Sequence, residues 1–600
     1  MRNIAVLVVV VTWLGAAVAQ PVAAQLNRAQ PEAASGRSDK AGATARRFMV
    51  AAANPLAVRA GIEMLEAGGS AVDAAIAVQL VLNLVEPQSS GIGGGAFMLH
   101  WDRAAGELET YDGRETAPAA ATPDRFLREG RRLPFFEAVK SGLSVGVPGL
   151  LRMLEMAHRA HGNLGWERLF QPALRLARDG FEVSPRLNFL LTWAARPEHF
   201  APAARPYFYD GDGNARPVGH RLRNPEFADT LASIAVDGAA AFYGGPIAEA
   251  IVEAVQHAPR HAGDITLVDL EAYQAKRRPP VCVDYREVRV CGMGPPSSGG
   301  LTVAQILKLA ERFDLAGQPI RPMNTRALHI LGEAARLAYA DRNGYMADAD
   351  FVNVPAGLLD ETYLATRSAQ ISPMRVQPKV TFGVPPGANA EMFGRDATRE
   401  ARGTSHISIV DGQGNAVSMT TTIESAFGSG LWARGFLLNN ELTDFSFRPV
   451  DGQGRAIANR IEAGKRPRSS MAPTILFNRA DGTFRAAIGS PGGSRIILYV
   501  AKAIVGMVDW RLHPQEATAI ANFGHRGWAF ELEYDPSLAT YTLLAPWSTV
   551  PSVWRGIRLR SLGYRVQPEL MTSGLHIVER LDGVLRGGAD PRREGIALGQ

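Results

Sequence analysis

Six hundred residues with 46% hydrophobic and 20% charged content can bury a large core, which excludes a short peptide and a disordered chain. The 64 basic and 59 acidic residues are interleaved and leave a net charge of only +5. Without a Lys/Arg block to hold phosphates, no nucleic-acid partner is expected.

The chain opens on a basic start, Met1-Arg2-Asn3, followed by the apolar run "IAVLVVVVTWLGAAVAQ". The run ends in Ala17-Val18-Ala19, a small-residue cleavage pattern, with a second possible cut after Ala24. It is short for a membrane span, so residues 1–24 read as a cleavable signal peptide and the protein as periplasmic or secreted, with no membrane span. A polar, low-complexity stretch follows to residue 47. Pro55 to Ala67 then reads as a helix capped by Asn54 and stopped at Gly68-Gly69. Ser70 caps a second helix that is apolar on nearly every face and hence buried. Further helical periodicity occurs near 148–160, 166–178, 302–313 and 325–340.

In "VCVDYREVRVC" a turn centred on Arg286-Glu287 sets Cys282 opposite Cys291 on a hairpin. A disulfide suits that geometry and an exported chain; the other reading is two buried thiols. Two cysteines nine positions apart argue against a zinc site, and no metal is expected. From residue 404 the pattern changes to strand-like alternation at 404–422, 434–447, 473–488 and 574–586, with Asp-Gly turns at Asp481-Gly482 and Asp582-Gly583 and one helix over 494–509.

Three stretches resemble hydrolase or nucleotide-binding motifs. "GLSVG", Gly142 to Gly146, matches a G-x-S-x-G nucleophile elbow around Ser144, but no good strand precedes it. "GIGGGAF", Gly91 to Phe97, has neither the strand before nor the acid after that a dinucleotide loop requires, and reads as a tight glycine loop packed on other backbone. The third is "TSHISIVDGQGNAVSMTTT". Folded as a hairpin with Asp411 opposite Asn415, it sets Thr404 opposite Thr422, so two hydroxyls meet on one face while Ile407, Ile409, Val417 and Met419 face a core. A slip of one residue offers Thr421 instead. A Thr-Thr surface ladder is the structural alternative.

The long motifs "GGSAVDAAIAVQLVLNLVEPQSSGIGGGAFML", "YDGRETAPAAATPDRF", "MGPPSSGG", "GTSHISIVDGQGNAVSMTTTIESAFGSG", "GFLLNNELTDFS", "KRPRSSMAPTI", "GSPGGSRII" and "GGADPRREGIALG" resemble the γ-glutamyltransferase (glutathione hydrolase) family of N-terminal nucleophile hydrolases, in the family's order. The resemblance implies an α+β fold, a four-layer αββα sandwich built from two subunits of one self-cleaved precursor. The cut falls between Gly403 and Thr404, giving a large helix-rich subunit over 25–403 and a small strand-rich catalytic one over 404–600. The freed α-amine, with a reference pKa of about 8, can serve as base for the threonine's own hydroxyl.

Residue by residue, the resemblance implies that Thr422 hydrogen-bonds the nucleophile and that Gly492 and Gly493 form the oxyanion hole. Arg114 clamps the donor's α-carboxylate with Ser469 and Ser470, and Asp444 neutralises its ammonium, with Glu441 beside it. Glu424 is a departure, since many members carry Asn there, and the loop from Ser446 to Lys465 lacks a lid tyrosine common in bacterial members. The implied partners are a γ-glutamyl substrate such as glutathione and water or an amino-acid acceptor, with no cofactor. A related acylase acting on glutaryl-type side chains is the rival reading; a non-catalytic binder using Arg114 and Asp444 is another.

Overall fold

A computed structural model describes residues 38–388, 393–398, 400, 403–533 and 550–600. The signal-peptide reading over residues 1–24 lies outside the described residues.

Helix α1 (Pro55–Glu66) starts where Asn54 Oδ1 accepts the Leu56 amide at 2.9 Å, with Pro55 at the first turn, and Gly68 ends it at φ +85°. Ser70 and Asp73 make a reciprocal capping box for α2 (Ala71–Val85), every residue of which is buried, as its all-round apolar sequence requires. Helices α3 (Leu150–His161), α4 (Trp166–Asp179), α5 (Gly299–Ala310), α6 (Thr325–Tyr345) and α7 (Ile496–Val508) fall within a few residues of the periodicity.

Two seven-stranded sheets hold the centre. Half of their strands precede Gly403: β1 (Ala43–Ala45), β2 (Met49–Ala52), β3 (Gly95–Asp102), β4 (Glu107–Gly113), β5 (Lys276–Arg278), β6 (Val281–Tyr285) and β7 (Val288–Gly292). The other half follow it: β8 (Ser405–Val410), β9 (Ala416–Thr422), β10 (Thr474–Asn478), β11 (Phe484–Gly489), β12 (His576–Leu581), β13 (Val584–Ala589) and β14 (Ile596–Gly599). One sheet runs β14-β2-β8-β9-β3-β4-β5 and the other β1-β13-β12-β11-β10-β7-β6. Both halves of the chain therefore enter both sheets. The contrast between a helix-rich first part and a strand-rich second part is one of composition and does not divide the fold.

The layers follow from side-chain alternation. In the first sheet Ala52, Met98, Ile407, Ile409, Val417 and Met419 join one core with α1 to α4. The opposite face looks at the second sheet. Ser408 Oγ donates to the His576 carbonyl at 3.1 Å and Ser418 Oγ to that of Ile488 at 3.1 Å. Residues of α5 and α7 share a second core with Ile475, Ala487, Ile488 and Ile577. The order is helix, sheet, sheet, helix, the expected αββα sandwich.

Two expectations change. Residues 434–447 do not form a long strand. They hold only a two-residue piece at Phe436–Leu437, paired with Trp432–Ala433 just before them, and a 3-10 turn at Glu441–Asp444. Asn439 explains this: its Oδ1 accepts the amides of Gly146 and Glu441, each at 2.9 Å, while Nδ2 donates to the Gly93 carbonyl at 2.8 Å. Such side-chain bonds compete with a strand ladder. Second, Gly142–Ser144 is a 3-10 turn, and buried Ser144 donates to the carbonyls of Val139 and Ser141, both at 2.8 Å. No nucleophile elbow forms there. Cys282 and Cys291 do pair across β6 and β7 and form a disulfide.

Candidate active site

The β8–β9 ladder pairs Ser405 with Thr421, His406 with Thr420 and Ile407 with Met419. That is the register read from Asp411 and Asn415, and its next step brings Thr404 to Thr422. Thr421 faces the helices with Ile407, so the one-residue slip is excluded. His406 and Ser405 make no catalytic pair. The His406 nitrogens bond Thr420 Oγ1 at 2.9 Å and Ser408 Oγ at 3.0 Å, and burial pushes the ring's pKa well below its usual value, keeping it neutral.

Thr404 is buried, at 2% exposure, and lines a small cavity with Thr422, Arg114, Glu400, Glu424, Glu441, Asp444, Ser469, Ser470 and Gly493. Its φ is +145°, a region a β-branched residue rarely occupies and one that stores strain next to the Gly403–Thr404 bond. Thr422 Oγ1 accepts the Glu424 amide at 2.8 Å, which leaves its own proton free to donate. The glycine loop makes this corner possible. A Cβ at Gly94 would collide with the Thr422 carbonyl and one at Gly93 with that of Leu437, so this is the tight packing loop its sequence suggested.

Opposite the hairpin, β11 ends at Gly489 and the chain turns through Gly492 (φ +141°) and Gly493 (φ +56°) before α7. A Cβ on Gly492 would lie 2.6 Å from the Tyr499 ring. Only glycine fits that turn, and Gly493 reaches the cavity.

The remaining wall is charged. Arg114 is fully buried; its guanidinium donates to Glu441 Oε1, to Asp444 Oδ2 at 2.6 Å and to the Pro467 carbonyl at 3.1 Å. Burial works against its charge, yet Glu441, Asp444 and Glu115 outweigh that and hold the proton more tightly than usual. Four carboxyls thus surround one cation. Burial, and then neighbouring carboxylates, push Glu441 up to about 7 and Asp444 up to about 6. Burial also raises Glu424 and Glu115 well above the carboxylate range. Glu424 hydrogen-bonds Asp444. Ser469 and Ser470 sit on a strap pinned by Ser298, whose amide and hydroxyl both donate to the Ser469 carbonyl at 2.7 Å.

Every site residue that the family resemblance implied lines this cavity except Gly403 and Gly492, with Gly492 one step behind. Three participants lay outside that reading. Glu115 adds a carboxyl 3.8 Å from Arg114. Glu400 accepts from Ser470 Oγ at 2.6 Å and pairs with Arg342 and, at 3.3 Å, with Arg468. Burial would raise Glu400, but the two arginines overcome it and hold it at about 2. Only adjacency to Arg114 and Thr404 hints at either acid. Asn439, the third, anchors the turn bearing Glu441.

Known proteins match this chain along most of its length. The gamma-glutamyltranspeptidase family profile matches residues 57–600. The glutathione hydrolase proenzyme of Escherichia coli K12 is 36% identical over 559 residues, 91% of each chain, and that of Bacillus subtilis 168 is 37% identical over 78% of this chain and 79% of its own. A solved cephalosporin acylase from Bacillus halodurans superposes with a TM-score of 0.79 at 26% identity, covering 94% of this chain and 97% of its own. With two facing sheets between helical layers and a threonine heading the central hairpin, the architecture is that of the N-terminal nucleophile hydrolases, and the chain belongs to the gamma-glutamyltranspeptidase family.

Proposed function

We propose that the protein is exported, cuts itself between Gly403 and Thr404, and then hydrolyses or transfers γ-glutamyl amides such as glutathione. The observation that carries this reading is Thr404 itself: buried, strained in backbone, beside Thr422 and facing Gly493 across a charged cavity. Relatives named as proenzymes support a self-processing chain. The disulfide supports an oxidising compartment, periplasmic or secreted. Among the described residues no helix is long and apolar enough to cross a membrane.

In the cut form the α-amine of Thr404 takes the proton of its own hydroxyl while Oγ attacks the γ-carbonyl. Thr422, whose oxygen already accepts the Glu424 amide, donates its proton to the nucleophile and orients it. The backbone amides at Gly492 and Gly493 receive the negative charge of the tetrahedral intermediate. The ammonium formed on Thr404 returns its proton to the leaving amine, giving an acyl-enzyme. Water or an amino acid then attacks the ester and releases the acyl group.

The donor's zwitterion fits the charged wall. Its carboxylate takes Arg114 with Ser469 and Ser470, and its ammonium takes Asp444 and Glu441, so the Arg114–carboxylate pairs are exchanged for pairs with substrate. A glutaryl-type acyl group carries no ammonium and would leave those carboxylates buried and uncompensated, which disfavours an acylase. Denaturing electrophoresis, N-terminal sequencing of the smaller band and turnover of a chromogenic γ-glutamyl anilide test the proposal. A band beginning at Thr404, and loss of both processing and turnover in Thr404→Ala, are expected; an uncut, fully active mutant would overturn it.

A further inference from the structure

We propose that His100, Glu109 and His161 form a site for a transition-metal ion such as Zn²⁺, remote from the nucleophile. His100 on β3 and Glu109 on β4 are direct partners across the antiparallel ladder, and His161 is the last residue of α3, which lies over that face. Each of the three offers one ligand atom, and all three atoms lie within 4.8 Å of one another. Bonds of about 2.0–2.1 Å to a tetrahedral ion place ligand atoms about 3.3 Å apart, so closing the set takes side-chain rotations that swing the two imidazoles out of their stack.

His100 supplies an independent reason to expect a ligand. It is 2% exposed, its ring stacks on that of His161 at 3.9 Å, and among the described residues neither ring nitrogen has a hydrogen-bond partner. Buried imidazoles ordinarily satisfy at least one nitrogen.

The surroundings are those of a supported site. Arg277 on β5 holds Glu109 Oε1 at 2.6 Å, leaving Oε2 directed at His161 Nε2 at 2.5 Å. Tyr111 donates to that same oxygen at 2.6 Å, a second layer that fixes the carboxylate. Metal binding replaces the His161–Glu109 hydrogen bond by two coordinate bonds, with the imidazole proton of His161 carried on Nδ1. Two nitrogens and one oxygen suit Zn²⁺, Ni²⁺ or Cu²⁺ over Mg²⁺ or Ca²⁺, and half-buried His161 and Glu109 give the ion a way in. His100 is five residues along β3 from Gly95, the partner of Thr422, or about 17 Å at the usual rise per residue. The ion would tie β3 and β4 to α3 without touching the reaction.

The test uses the full protein, stripped with a chelator, titrated with Zn²⁺ by calorimetry and with Co²⁺ by visible absorption. One Zn²⁺ per chain, intense tetrahedral cobalt bands and a higher melting temperature with Zn²⁺ are expected. His161→Gln and His100→Ala should each weaken binding by about 100-fold and leave γ-glutamyl anilide turnover within about twofold. Half-buried His161 is the safer change, and its metal-free melting temperature reports folding; should His100→Ala not fold, His161→Gln alone decides. No uptake by the wild type, or uptake unchanged in folded His161→Gln, would overturn the proposal, the second outcome placing any ion elsewhere, for instance on Glu424, Glu441 and Asp444.

Discussion

The two walls of the cavity are built on different principles. The hairpin wall, Thr404 with Thr422, is uncharged and set by a backbone ladder whose register every paired residue from Ser405 to Thr421 repeats. The charged wall joins Arg114 and Glu115 to Glu424 and the Glu441–Asp444 turn, more than three hundred residues further along the chain, around a single guanidinium. A ladder fixes position and tolerates little; a cluster of buried like charges leaves protonation adjustable. Thr404 is thus held by geometry, and the charged wall by a balance of buried charges.

Breaking the first wall costs most. Thr404→Ala should leave one uncut chain and reduce γ-glutamyl anilide turnover by at least about 10³-fold, since nucleophile and base sit on one residue; Thr404→Ser should still process. Next comes Gly492→Ala. Its φ of +141° and a Cβ only 2.6 Å from Tyr499 force the turn to move, which displaces the Gly493 amide. Losing an oxyanion donor lowers kcat by about 10²–10³-fold, with KM little changed. A variant that keeps kcat and loses affinity would place these glycines on the binding wall instead.

The same contrast explains what could be read from sequence. The register follows from two local facts, the Asp411-to-Asn415 turn and the alternation of Ile407, Ile409, Val417 and Met419, so Thr404 and Thr422 meet without knowledge of the fold. The cysteine hairpin is legible for the same reason. Glu115 and Glu400 were not, because their roles depend on where Arg114, Arg342 and Arg468 arrive in space. Residues 434–447 misled because Asn439 spends its side chain on Gly93 and Gly146, far away in sequence. The interleaving of both halves in both sheets is likewise invisible to composition, since β1, β2 and β5 are short and add little to a strand pattern.

On the charged wall, Asp444→Asn should raise KM for γ-glutamyl donors and lower kcat/KM by about 10–100-fold, the cost of losing one charge-assisted bond to the ammonium and an Arg114 partner together. Processing should remain normal, because the cut depends on the other wall. If Asp444→Asn also stopped cleavage, the two walls would not be separable.

The smallest effect is the most diagnostic and concerns Glu424. Its raised pKa and its hydrogen bond to Asp444 mean that it enters the site as a neutral acid, donating a proton as an amide would, and that donation lowers Asp444. Protonated Glu424 can therefore donate as an amide side chain would, until pH is high enough to ionise it. Between its unfolded pKa, about 4.3, and its raised folded one, the native state binds a proton the unfolded state has lost, so this residue's contribution to stability falls as pH rises. Glu424→Gln keeps the donor and removes the titration. Its melting temperature should gain on the wild type progressively from pH 5 to pH 9. Its kcat/KM should match the wild type at mildly acidic pH and exceed it a few-fold once pH is high enough to ionise Glu424 against Asp444 and Glu441. In both proteins donor KM should fall as pH rises through about 6 to 7, because the proposed binding mode sets the ammonium against ionised Asp444 and Glu441, which burial pushes up to about 6 and about 7. A Glu424→Gln profile parallel to the wild type at every pH would show that Glu424 is already charged in the folded protein, and that the binding wall carries one more negative charge than the hydrogen bond to Asp444 allows.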